Sequence, residues 1–150
     1  MSYRQIADVM KTIGEFHDEL NQEIQRNSQG NGDQRLKLLA AYVKHHSEAM
    51  AAAIRRDQED PSFDVLGTWL QFTPEAELRS ALNRLRLQAG EPVSELFTRV
   101  MEADQTLQDL YQSLSEQTSA EHVREFFNSL YRESLSFAEQ LSWGMREETN

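Results

Sequence analysis

Apolar residues recur along most of this chain at spacings of three and four, the period of a helix that buries one face. The first such stretch covers residues 3–26, with the stripe Ile6, Val9, Met10, Ile13, Phe16, Leu20 and Ile24. Ser2 and Gln5 give it the S-x-x-Q pattern of a capping box. The segment "NSQGNGD" breaks the pattern, and Gly30 and Gly32 permit the left-handed backbone of a tight connection. A short loop predicts an antiparallel neighbour. The second stretch, residues 34–58, turns Leu36, Leu39, Tyr42, Val43, Met50, Ala53 and Ile54 inward. Ala40, Ala41, Ala49, Ala51 and Ala52 are expected to widen that face.

A third helix is expected over residues 92–115, opening on Pro92 and burying Val93, Leu96, Phe97, Val100, Leu107, Leu110, Tyr111 and Leu114. After "SEQTSAE", Thr118 and Glu121 form a second capping-box pattern. The fourth helix then runs to about residue 146 through Val123, Phe126, Phe127, Leu130, Phe137, Leu141 and Met145, and the tail "REETN" is expected to fray.

Residues 59–91 differ. They carry Pro61, Gly67 and Pro74, yet also Phe63, Val65, Leu66, Trp69, Leu70 and Phe72, too apolar for a solvated linker. Thr73 before Pro74 starts a short extra helix to about residue 88. A packed connection of this length predicts a crossover that lets the third helix run parallel to the second. Trp69, Phe72 and Phe63 are expected to cap the bundle from it. The fold expected is all-α: one domain over residues 1–150, a four-helix bundle with a long crossover.

Composition narrows the function classes. There is no cysteine, which excludes disulfides, thiolate metal sites and cysteine nucleophiles. Twenty-five acidic residues against 15 basic give a net charge of −10, and the one basic cluster, "RSALNRLRLQ", is short. Nucleic acid is therefore a disfavoured partner. The start lacks the marks of a secretory signal, and no apolar run is long enough to span a bilayer. A soluble, cytoplasmic protein is expected, with no membrane partner. No P-loop, G-x-G-x-x-G or Ser-His-Asp order is present.

The candidate chemistry lies where the stripes are interrupted. The inward heptad track of the first helix is apolar except at His17, and that of the second except at His46. The third track is broken by Asp104 and the fourth by Ser134. Each exception falls near the middle of its helix, and midpoints share one level in such a bundle. His17, His46, Asp104 and Ser134 should therefore meet as one central polar layer, with Glu133 adjacent to it. Groups buried this way must satisfy one another, hold water, or bind a metal. Two imidazoles and a carboxylate suit a single iron, manganese or zinc ion, whereas the same set can also form an Asp–His hydrogen-bonded network around buried water. His45 with Glu48 reads as a surface pair, and Glu15, Glu19 and Glu23 as a solvated acidic strip. Glu139 lies off the inward track.

Four helices, a long crossover and central inward acids and histidines resemble the ferritin-like superfamily, its rubrerythrin-type members above all. The resemblance implies a di-metal centre built from one Glu on each of helices one and three and an E-x-x-H on each of helices two and four. By position, His46 in "VKHH" matches the helix-two histidine, but Val43 stands where its bridging Glu would be. His17 occupies the helix-one Glu position and Asp104 the helix-three one, with Tyr111 two turns on. Helix four, "LYRESLSF", has no histidine, and His122 lies too near its start. The function expected is a non-catalytic ferritin-like protein with a degenerate metal site and no cofactor, acting through protein contacts and assembled as a homodimer. The alternative is a protein that binds one iron, manganese or zinc ion through His17, His46 and Asp104, in iron handling or oxidative-stress defence.

Overall fold

The computed structural model describes residues 3–30, 32–59, 69–71 and 92–149, with residues 76, 79, 80 and 83 between them. Four helices dominate: α1 (Ile6–Ser28), α2 (Gln34–Glu59), α3 (Val93–Glu116) and α4 (Glu121–Thr149). Each buries most of the stripe its sequence spells, with Tyr42, Ala53, Ile54 and Phe97 only half-buried. Ile6, Val9, Met10, Ile13, Phe16, Leu20 and Ile24 of α1 are all in the core, and so are all seven stripe residues of α4. On α2 the buried face is narrower than the sequence suggests: Ala40 is buried, but Ala41, Ala51 and Ala52 face solvent. Methyl groups satisfy a helix backbone on any side, so their hydrophobicity does not fix an orientation.

The run of the helices follows from which residues meet. Gln25 of α1 donates to the Ala40 carbonyl of α2 at 2.8 Å, and the His17 and His46 rings lie 5.3 Å apart. Descending α1 thus ascends α2, and the pair is antiparallel. His46 reaches Asp104 of α3, while Arg35 near the start of α2 lines a cavity with Ser94 and Phe97 near the start of α3. These two helices are parallel, as the crossover argument requires. The same cavity includes Met145 and Arg146, so α4 returns antiparallel to both. Twenty-six residues of α2 span about 39 Å at roughly 1.5 Å each, and the chain between α2 and α3 has to recover that distance.

The N-terminus corrects the sequence reading. Residues 3–5 are not the first turn of a helix: they form strand β1 (Tyr3–Gln5), antiparallel to β2 (Trp69–Gln71), with Arg4 opposite Leu70. Gln5 is the N-cap of α1 and makes no side-chain cap bond, so the expected capping box is not formed. A ladder with a segment more than sixty residues away has taken the backbone that local capping would have used. The second capping box also fails. Thr118 Oγ1 accepts from the Ala120 N–H at 3.0 Å, and the Ala120 carbonyl opens α4 by accepting from Arg124 N–H. The expected frayed tail is instead helical to Thr149. Gly30 is left-handed at φ 73°, as the first connection demands; Gly32 is not. Residues 76, 79, 80 and 83 are helical, while the remainder of the expected crossover helix, with Phe63 and Phe72, lies outside the described residues.

Gly144 shows how closely α2 and α4 approach. A Cβ built there would lie 2.8 Å from the Tyr42 hydroxyl oxygen and 3.0 Å from its Cε2. Gly14 of α1 is the natural control, since a Cβ there meets nothing within 4 Å. Gly14→Ala is expected to raise stability by about 0.5–1 kcal/mol through helix propensity alone. Gly144→Ala should lower it by about 1 kcal/mol, because crowding the Tyr42 ring outweighs the same propensity gain. In a Tyr42→Ala background Gly144→Ala should turn stabilising; urea denaturation of the four variants closes the cycle.

Candidate functional site

The four interruptions of the apolar tracks meet in the core. His17 and His46 are each 4 % exposed, Asp104 3 % and Ser134 0 %. The His46 imidazole is the hub. It stacks on Phe137 of α4 with centroids 4.1 Å apart and planes 7° from parallel, and meets the His17 ring edge-on at 5.3 Å. Its Nε2 lies 3.7 Å from Asp104 Oδ1. Phe16 in turn sits edge-on to His17 at 6.0 Å. One imidazole of α2 therefore touches α1, α3 and α4.

Two further polar residues complete the layer that the tracks alone outline. Gln108 Nε2 donates to Asp104 Oδ2 at 2.7 Å, from one turn along α3. The i, i+4 spacing places the two on one face, and that spacing is the signal by which Gln108 is legible in sequence. Tyr111, fully buried and close enough to feel the Asp104 charge, belongs here too. Its ring is an ordinary core hydrophobe, and its hydroxyl is what joins the layer. Glu133, by contrast, is exposed. It precedes Ser134 by one residue, about 100° around the helix, and so faces solvent. His45, Glu48, Glu15, Glu19 and Glu139 are exposed as well, whereas Glu23 is half-buried and pairs with Arg26 at 3.1 Å.

Burial sets the charges. It holds the His17 imidazole down at about 4, and His46 at about 3 with a smaller push from His17 and His45. The same desolvation drives the Asp104 carboxyl up to about 7, against the pull of the Gln108 hydrogen bond and a weaker one from the Ser134 hydroxyl, which lies near without reaching hydrogen-bond geometry. Tyr111 is raised above its usual value by burial and then by Asp104. The His46–Asp104 contact thus has the spacing of an ion pair but not its charges: both histidines are neutral, and a stack on a phenyl ring suits a neutral imidazole.

The layer is polar without being satisfied. His17 Nε2, both ring nitrogens of His46, Asp104 Oδ1, the Tyr111 hydroxyl and Ser134 Oγ are buried and make no hydrogen bond with protein. Each such atom costs on the order of 1–3 kcal/mol if left unpaired. As arranged, no three His, Asp or Glu side chains among the described residues are disposed to hold a metal ion. The di-metal set implied by the ferritin-like resemblance does not fit: Val43 is buried in the bridging position, and Asp104 is the lone carboxylate of the layer. Comparison of the chain with protein-family models, with curated proteins and with solved structures finds no match in any of the three.

These shifts fix a pH dependence. Histidines whose folded values lie below 6.5 leave the unfolded chain binding more protons, so their contribution to stability is lost as pH falls from 6.5 toward 4 and 3. Asp104 acts in the opposite sense: with a folded value of about 7 against 3.8, it costs stability progressively as pH rises between those two values. Asp104→Asn removes the second effect and leaves the first. Relative to wild type, the variant is expected to gain stability between pH 5 and pH 8, by an amount on the order of one to a few kcal/mol. Urea denaturation at both pH values measures it. An unchanged difference would mean that the carboxyl does not titrate with folding.

Proposed function

We propose that this chain is a non-catalytic four-helix bundle of ferritin-like architecture, with a degenerate metal layer, that acts through protein contacts and pairs with a second copy of itself. The observation that carries this reading is the contrast between core and surface. The polar layer is sealed from solvent on all four helices and has one carboxylate, which Gln108 already engages. Catalysis needs a reacting group that substrate can reach, and no member of the layer is more than a few per cent exposed.

The surface offers the opposite. Trp143 of α4 is 64 % exposed and Leu135 36 %, the two large apolar side chains in the open among the described residues. Eight residues apart, they share one side of the helix with Arg132 and Glu139. Opposite charges beside an indole on a single face favour reciprocal pairing, since a two-fold interface sets the same patch against itself. Among the described residues no helix is long and apolar enough to cross a membrane.

Light scattering after gel filtration tests the pairing. The expected mass is twice the 17.4 kDa of one chain, falling to one chain in Trp143→Glu with the helical circular dichroism unchanged. A wild-type monomer at tens of micromolar, the range of weak specific association, removes the pairing.

A second reading rests on a separate observation. The unpaired His46 Nε2 and Asp104 Oδ1 are 3.7 Å apart, and two donors sharing one ion at about 2.0–2.2 Å each lie within about 4 Å of one another. A small inward shift of His17 would make a His-His-Asp site for iron, manganese or zinc, of the kind suited to iron handling or oxidative-stress defence. Elemental mass spectrometry on untagged protein purified without chelators separates the two readings. The first expects no stoichiometric metal. About one equivalent, lost in His46→Ala, would overturn it in favour of the second.

A further inference from the structure

Where α2 packs on α4, Tyr42, Ser136, Glu139, Gln140, Trp143 and Gly144 line a surface cavity of about 360 Å³, inside the range of about 300–1,000 Å³ typical of small-ligand sites. A glycine shapes it. A Cβ at Gly144 would meet the Tyr42 ring at 3.0 and 3.1 Å, so only bare backbone lets that ring lie against α4. Tyr42 is half-buried, and Trp143, next to Gly144 in sequence, is 64 % exposed. The cavity thus holds two aromatic side chains from two helices, one seated and one in the open.

The polar groups around them differ in what they offer a ligand. Gln140 Nε2 donates to Ser136 Oγ at 3.4 Å, so these two engage each other. Glu139 is exposed and enters no ion pair among the described residues. The Trp143 ring already shows its affinity for cations: the Arg146 guanidinium carbon lies 5.6 Å from the centroid. Arg146 lines a different cavity, with Arg35 and Phe97. An indole has two faces, and that contact takes one. The chain as a whole, at a net charge of −10, adds a field that draws cations.

We infer that this cavity binds a small quaternary ammonium compound, its trimethylammonium head against Trp143 and Tyr42 and beside the Glu139 carboxylate. Aromatic faces attract such a cation through the ring quadrupole, and its methyl groups give it apolar surface to lay on them. A primary ammonium would instead require hydrogen-bond acceptors around it, and Ser136 and Gln140 are turned to each other. Neither the polar layer nor the pairing enters this argument, although Trp143 and Glu139 also belong to the pairing face.

Choline is the probe, titrated at fixed ionic strength into the full-length protein labelled with nitrogen-15. Saturating shifts are expected at the Trp143 indole N–H and at the Gln140 and Gly144 amides, with a dissociation constant in roughly the millimolar range or tighter. The neutral alcohol in which carbon replaces the choline nitrogen, and ethanolamine, which keeps the charge without the methyl groups, should each bind about fivefold more weakly or worse. Glu139→Gln and Tyr42→Leu should each weaken choline by about threefold or more. Glu139 is exposed, so its variant tests the site even if Tyr42→Leu loosens α2 from α4. When phosphatidylcholine vesicles are pelleted, the protein should stay in the supernatant, which separates a free ligand from a lipid headgroup. Equal affinity for choline and the neutral alcohol, wild-type binding in both variants, pelleting with the vesicles, or shifts that fail to saturate would each overturn the inference. Light scattering on the same sample reads the pairing separately: a dimer that ignores choline overturns this site alone, and a monomer that binds it overturns the pairing alone.

Discussion

One neutral imidazole ties this bundle together. His46 touches α1 through His17, α3 through Asp104 and α4 through Phe137. It can do so only uncharged, because a charge at the centre of four packed helices would lose its hydration and gain no counter-ion of full strength. Burial enforces that state on both histidines and pushes Asp104 toward neutrality as well. The three groups share a core because each yields its charge there. A conventional buried ion pair would have placed the opposite demand on the same four helices.

Topology follows from which ends meet. The parallel course of α2 and α3 obliges the chain to travel back along the bundle between them, and the β1–β2 ladder anchors that return at the end where α1 starts. Three residues of extended backbone thus join the N-terminus to the middle of the sequence. The arrangement also brings the first turns of α2 and α3 beside the last turns of α4, which is where the cavity with two arginines forms. Arg35 and Arg146 line one cavity because α2 and α4 run in opposite directions.

Much of this was legible in the sequence, and the reason is periodicity. A stripe repeating at three and four residues fixes a helix and its buried face together, so the tracks that pointed to His17, His46, Asp104 and Ser134 also placed them at one level. What escaped was non-local or rotational. The residues 3–5 match a capping pattern, but their backbone is claimed by Trp69–Gln71, and no local rule carries that competition. Glu133 neighbours the layer in sequence and faces away from it in space. The alanines of α2 read as apolar while half of them are wet. Tyr111 was counted among the hydrophobes, and only its hydroxyl, buried without a protein partner, reveals it as polar. In the crossover, residues 76, 79, 80 and 83 are helical where Thr73 before Pro74 starts a helix, whereas the strand at Trp69–Gln71 has no local period to announce it.

The polar layer has one more effect, on alignment. Apolar stripes are forgiving, and a helix that slides by one turn, about 5.4 Å, still meets leucine with leucine. The layer removes that freedom. Any such slide would break the His46–Phe137 stack and part His46 from His17 and Asp104, setting an imidazole or carboxyl against aliphatic side chains instead. Lone polar groups in hydrophobic seams fix register in other helical assemblies by this asymmetry between the correct and the shifted state. His17, His46, Asp104 and Ser134 would then act as a vernier: four marks, one on each helix, that coincide in a single alignment of the bundle.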